Sequence, residues 1–193
     1  NGTHLVYMVG EYDGERTLYV RDVSLANDVE VLRGEQLFFK LAIPLNRIFI
    51  TATQGRTTTL YSAKVDGSGL VSLHSCEGCQ LGKISYIPGQ PYVYIELRSA
   101  EGISLLAAQI EQAAEFLVVD RWATISLLDT SADGLQLLYA GAESADADSS
   151  LYLARLDTQE ILTLDDDSDG IVNGLFNEKD EAVIYTALPG TQP

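Results

Sequence analysis

At 193 residues, 46% of them hydrophobic and 21% charged, the chain is globular rather than disordered, and long enough for one domain with a real core or two small ones. Its 28 acidic and 12 basic side chains leave a net charge of −16, which repels phosphate backbones and argues against nucleic-acid binding; such a surface suits metal cations, a basic protein partner, or solubility alone. The longest apolar runs, such as Ile48–Ile50 and Phe116–Val119, fall far short of the roughly 18 residues a membrane helix needs, so no membrane span is predicted, and the start at Asn1 rather than Met predicts a processed form or an excerpt.

Taken in chain order, the predicted elements are all strands. The first, Leu5–Val9, opens with Leu5-Val6-Tyr7, a β-branched and aromatic run flanked by turn residues. Matching runs begin at Ile48, Val93, Leu137 and Val183, spaced 43, 45, 44 and 46 residues apart. A second motif keeps the same beat. Ser or Thr, then Leu, then a large apolar residue places leucines at 18, 60, 105 and 151, in steps of 42, 45 and 46 residues. In the second unit the strands are Leu37–Ile43, Arg47–Thr53, Thr58–Val65 and Leu70–Leu73, separated by turns at Pro44-Leu45-Asn46, Gln54-Gly55-Arg56 and Asp66–Gly69. Ser104–Ala114 mixes helical and strand signals, and the phase of the repeat assigns it to a strand and a turn. The units run over about 5–36, 37–80, 81–120 and 121–165, with a partial unit at 170–188, all read as one repeat domain over 1–193.

Four short antiparallel strands per 42 to 46 residues make the chain all-β, a β-propeller or propeller arc of about four four-stranded blades. The turn Ser131-Ala132-Asp133-Gly134, followed by the strand Leu135–Ala140, resembles the Ser-Pro-Asp-Gly turn and next strand of TolB-type propeller repeats. Asn177–Glu181 before Ala182–Ala187 is a looser match, and the turns at Pro44 and Pro88 depart from the pattern. The resemblance implies a propeller of a kind that occurs in bacterial periplasmic proteins and beside peptidase domains.

Chemistry-bearing residues are few. Asp165, Asp167 and Asp169 stand at alternate positions before Gly170, with Asn173 at the ninth position of the same run. Alternating carboxylates in a tight loop can supply several of the oxygens that calcium requires, and the spacing resembles calcium loops of other propellers; a polar connection between blades is the other reading. Phe176 at the twelfth position excludes an EF-hand. Cys76 and Cys79 form a C-x-x-C with no second pair, so a four-cysteine zinc site is unavailable within the chain; a local disulfide, free thiols, or a metal or redox pair stay open. No catalytic residue is predicted. The chain has two histidines, His4 and His74, no G-x-S-x-G elbow and no phosphate-cradling glycine loop. The recurring tyrosines (Tyr7, Tyr19, Tyr61, Tyr94, Tyr139, Tyr152, Tyr185) are read as blade packing, and Trp122 as the cap of a blade.

The functional expectation is a non-enzymatic periplasmic or extracellular domain that holds a protein partner on a propeller face, with no certain cofactor and calcium as the one candidate. The alternatives are the accessory propeller of a larger hydrolase, such as a prolyl-oligopeptidase-like peptidase, or a structural subunit assembled through unpaired blade edges.

Overall fold

A computed structural model describes residues 2–11, 14–86, 90–111, 114–167 and 170–188. Seventeen strands fall into five antiparallel sheets. The first sheet holds β1 (His4–Gly10), β2 (Arg16–Asp22) and β3 (Asn27–Gly34). The second holds β4 (Gln36–Ala42), β5 (Arg47–Gln54), β6 (Thr57–Lys64) and β7 (Val71–Glu77). The third holds β8 (Gln80–Tyr86), β9 (Tyr92–Ser99), β10 (Gly102–Gln109) and β11 (Ala114–Trp122). The fourth holds β12 (Thr124–Thr130), β13 (Gln136–Ala142), β14 (Ser150–Arg155) and β15 (Glu160–Asp165), and the fifth is a hairpin of β16 (Ile171–Phe176) and β17 (Val183–Ala187). Within every sheet the strands lie in sequence order, the meander of a propeller blade. Ser104–Gln109, with its mixed signals, is strand.

The repeat exists because it builds cores. Leu18, Leu60, Leu105 and Leu151, the four leucines of the beat, are all fully buried, as are Ile48, Val93 and Leu137 of the second motif. Contacts divide the chain into two compact units, 1–81 with 108–115 and 82–107 with 116–193. In the first unit, Leu18, Val20 and Val31 of the first sheet pack with Leu37, Ile48, Ile50 and Ala63 of the second. In the second unit, Tyr94, Leu105, Ile125, Leu137, Tyr139 and Ala154 form one cluster, and Leu138, Leu151, Leu153 and Phe176 another. Each fully buried aliphatic side chain contributes about 1.5–3 kcal/mol relative to exposure.

β7 runs further than the sequence suggests. Its ladder with β6 continues to Thr57↔Glu77, so His74, Ser75 and Cys76 lie on the strand rather than in the connection. The chain turns only at Gly78, whose φ of 70° is open to glycine at no steric cost.

The turns between first and second strands share one conformation despite unlike sequences. At Ser131–Gly134 the Gly134 amide donates to the Ser131 carbonyl at 2.9 Å and φ of Gly134 is 72°. At Asn177–Asp180 the Asp180 amide donates to the Asn177 carbonyl at 3.0 Å, with φ 57° at Asp180. The Pro44 turn, which departs in sequence, does the same: Asn46 donates to Ile43 at 3.0 Å with φ 54°. Glycine, asparagine and aspartate are the residues that tolerate this left-handed position best. Pro88 lies outside the described residues.

Candidate functional site

The TolB-like turn is a structural hub of the second unit. The Ser131 hydroxyl donates to Asp133 Oδ1 at 2.6 Å, and the amides of Gln136 and Leu135 donate to Ser131 Oγ and Asp133 Oδ1, both at 2.9 Å. The Ser131 hydroxyl first, and the Leu135 amide second, hold the Asp133 carboxyl below the usual carboxylate range. Neighbouring elements then tie onto the turn. Tyr94 of β9 donates its hydroxyl to the Gly134 carbonyl at 2.7 Å, Gln90 Nε2 donates to the Ala132 carbonyl at 2.6 Å, and the Ala132 amide donates to Asp180 Oδ2 at 2.8 Å. These residues are occupied in holding the fold.

Three of the four predicted calcium residues, Asp165, Asp167 and Asn173, lie among the described residues. Asp165 ends β15, and its Oδ1 accepts the Asp167 amide at 3.0 Å. The same carboxylate hydrogen-bonds the Tyr185 hydroxyl, which raises the phenol's pKa. Asn173 sits on β16, where its Oδ1 accepts the Gly174 amide at 2.9 Å. Asp169 lies outside the described residues, among which no three acidic, histidine or cysteine side chains are placed to hold one metal ion. Cys76 and Cys79 are joined as a disulfide across the β7–β8 turn, with Cα atoms 5.9 Å apart. The Thr58 hydroxyl donates to the Cys79 carbonyl at 3.2 Å, which ties this turn back to β6.

The tyrosines divide by environment. Tyr94 and Tyr139 are core residues whose burial pushes their phenol pKa values up. Tyr139 stacks on Tyr152 at 5.3 Å. Trp122, at the end of β11, meets Tyr152 edge-on at 4.8 Å and Tyr139 at 5.7 Å. It lies so close to Gly141 that an added Cβ there would stand 2.9 Å from the indole.

Two sheet faces differ in what they present. On the first sheet, Tyr7 and Tyr19 stack at 5.6 Å, Arg21 holds Asp28 through two hydrogen bonds of 2.8 and 2.6 Å, and Tyr7 donates its hydroxyl to the same carboxylate at 2.8 Å. Those polar groups are satisfied, with Leu5 and Val9 exposed on the same strand as Tyr7. The β16–β17 hairpin differs. Gly174 approaches Leu138 and Leu128 closely and Phe176 joins the core, so the alternate residues turn away. Those are Leu175 and Ile184, exposed by 45% and 60% and directly opposite in the ladder, while Val172, exposed by 59%, stands at the irregularity between Ile171 and Asn173. Tyr185 and Leu188 are also exposed nearby. Two large exposed aliphatic side chains paired across one small face form the apolar centre an interaction surface requires. This is the surface that sequence reasoning missed; an apolar Leu175 next to the core residue Phe176 was its only signal.

Comparison with solved structures decides the architecture. The chain matches TolB from Acinetobacter baumannii with a TM-score of 0.55 at 11% identity, over 98% of this chain and 48% of that one. The chain has a TolB-like β-propeller fold. It also matches the β-propeller domain of the Trilobed protease from Pyrococcus furiosus, described as having an open velcro topology, with a TM-score of 0.54 at 14% identity over 97% and 62%. An acylaminoacyl peptidase from Pyrococcus horikoshii matches with a TM-score of 0.52 at 11% identity over 96% and 34%. The chain thus spans between about a third and three fifths of these solved chains. No protein-family model matches it, and no curated protein matches it. No helix among the described residues is long and apolar enough to cross a membrane.

Proposed function

We propose that the chain is a non-enzymatic protein-binding or scaffold module that works outside the cytoplasm, in a periplasmic or extracellular setting, and docks a protein partner on the open face of the β16–β17 hairpin. The observation that carries this reading is the exposure of Leu175 and Ile184, directly opposite each other on strands whose other face packs through Gly174 and Phe176. An apolar centre with polar surroundings is the anatomy of a protein interface. The net charge of −16 favours a basic partner, through faster encounter and rejection of acidic competitors.

A photo-crosslinking side chain at position 184 tests the proposal in the cells that make the protein. A discrete adduct from Ile184, and none from the equally exposed turn residue Thr158, is expected. Equal labelling from both positions, or none from Ile184, would remove the face from consideration. The rival reading is the accessory propeller of a larger hydrolase, supported by the shared fold of the two peptidase propellers; a G-x-S-x-G domain in the same protein would favour it. Assembly through blade edges rests on β1 and β17, each paired on one side only among the described residues, and a concentration-dependent mass would favour it. Calcium at Asp165, Asp167, Asp169 and Asn173 is decided by thermal unfolding in excess calcium and in chelator. A ligand of the native state alone raises the midpoint, and the rise must vanish in Asp167→Ala.

A further inference from the structure

The two units treat one repeat position in opposite ways. In the second unit, Trp122 ends the outer strand of the third sheet, three residues before buried Ile125, and its indole fills the space over Gly141 and beside Tyr152. In the first unit the corresponding residue is Gly34, which ends β3 three residues before buried Leu37. The walls correspond one by one. Ala52 pairs with Leu37 and Thr59, as Gly141 pairs with Ile125 and Ser150. Tyr61 follows the repeat leucine Leu60, as Tyr152 follows Leu151. With glycine in place of tryptophan, the space is an open cavity of about 340 Å³, lined by Leu32, Arg33, Ala52, Gln54, Thr59 and Tyr61 among others. That volume falls within the range of roughly 300–1,000 Å³ typical of ligand pockets.

We propose that this cavity receives an aromatic side chain, with indole the best fit, from a protein partner whose aromatic residue is flanked by lysine or arginine. The inference rests on the protein-binding reading and adds a second, chemically defined contact to it. The chain's own Trp122 shows what the repeat geometry accommodates: a ring set edge-on to the tyrosine at 4.8 Å and 71°. In the first unit Tyr61 stands ready to make the same contact. Arg33 lies at the rim, half exposed, where its guanidinium can lie over an incoming ring. Among the described residues the Gln54 amide and the Thr57 and Tyr61 hydroxyls make no hydrogen bond, which leaves polar groups at the mouth for an indole N–H or a peptide backbone. The flanking basic residues follow from the charges around the mouth. Arg33 is 3.8 Å from Glu15 and 3.5 Å from Glu30, Glu35 accepts the Gly55 amide at 3.4 Å, and the whole chain carries a net charge of −16, so basic flanks are favoured over acidic ones.

The test uses three probes on the whole chain: the peptides acetyl-KKWKK-amide and acetyl-KKAKK-amide, and free N-acetyl-tryptophanamide. Binding is followed through the backbone amide NMR signals of Gly34, Ala52 and Thr59. The tryptophan peptide is expected to bind at least tenfold more tightly than the alanine peptide and to move those signals saturably. A variant that rebuilds the second unit's arrangement, Gly34→Trp with Ala52→Gly, fills the cavity from within and should abolish the difference. The glycine at 52 is needed because a Cβ at the corresponding Gly141 would crowd the indole. Should the double variant fold poorly, Tyr61→Ala, which removes the edge contact, must still reduce the preference at least fivefold. Equal binding of the two peptides would overturn the proposal. So would an unaltered preference in the filled variant, or free N-acetyl-tryptophanamide binding as tightly as the peptide, which would make this a small-molecule pocket. Partner crosslinking at Ile184 that persists in the filled variant would leave the hairpin face standing while this inference falls.

Discussion

Two buried tyrosines in the second unit should respond to the same substitution with opposite signs. Tyr94 donates its hydroxyl to the Gly134 carbonyl at 2.7 Å, with both residues buried. Tyr94→Phe therefore deletes one hydrogen bond and strands a buried carbonyl, a loss of about 1–2 kcal/mol. Tyr139 is equally buried, but its hydroxyl has no hydrogen-bond partner among the described residues. Removing it relieves a desolvated polar atom, which costs about 1–3 kcal/mol on mutational scales, while the ring keeps its stack on Tyr152. For a chain of this size 1 kcal/mol corresponds to a midpoint shift of about 2–4 °C. Differential scanning calorimetry of the two variants should show Tyr94→Phe lowered by at least 2 °C and Tyr139→Phe unchanged or raised. A drop for Tyr139→Phe as large as that for Tyr94→Phe would refute the assignment of which hydroxyl is satisfied, and with it the role given to the 131–134 turn.

Other consequences can be measured on the same instrument. Gly141→Ala would place a Cβ 2.7 Å from the Thr124 carbonyl oxygen and 2.9 Å from the Trp122 ring, an overpacking that should cost about 1–3 kcal/mol and quench or shift the fluorescence of the single tryptophan. Leu60→Ala, at a fully buried beat position, should cost about 2–5 kcal/mol, whereas Leu25→Ala, in an exposed turn, should stay within about 0.5 kcal/mol by urea unfolding. The carboxyls of Asp22, Asp28, Asp66 and Asp133 are held below their unfolded values, chiefly by hydrogen bonds from Ser24, Arg21, Ser68 and Ser131 respectively. Their contribution is complete above the unfolded carboxylate value near pH 4 and is lost as pH falls through the folded values. Midpoints should thus fall from about pH 5 downward, less steeply in Asp133→Ala; a flat profile to pH 3 would contradict these bonds.

Much of the fold could be read in the chain before its structure, because blades repeat both a length and a burial pattern. The beat leucines have no exposure, and the phase they set assigns Ser104–Gln109 to a strand against its mixed local signals. The turn at Ser131 was legible because its side chains make its hydrogen bonds. The turn at Pro44 was legible as a turn but not as the equivalent of the one at Ser131, because Asn46 supplies the left-handed residue through a different sequence. The extension of β7 to Glu77 was hidden since a ladder can outrun apolar alternation when threonine and serine face each other, as Thr59 and Ser75 do at 2.9 Å. The surfaces were the least legible part. Leu175 and Ile184 read as ordinary strand residues, and only the packing of Gly174 shows that they turn outward. The cavity over Ala52 exists because Gly34 stands where the other unit has Trp122, a comparison that needs the register of both sheets.

The central claim, that the β16–β17 face is the docking surface, is tested most directly by the affinity of the partner captured at Ile184 for the wild-type chain and for Ile184→Asp. A charge at the centre of an apolar interface should weaken binding about thirtyfold or more, the scale of a hot-spot loss, with the unfolding midpoint unchanged because the side chain is exposed. Unchanged affinity at an unchanged midpoint would contradict the claim and move the interaction to another surface of the chain.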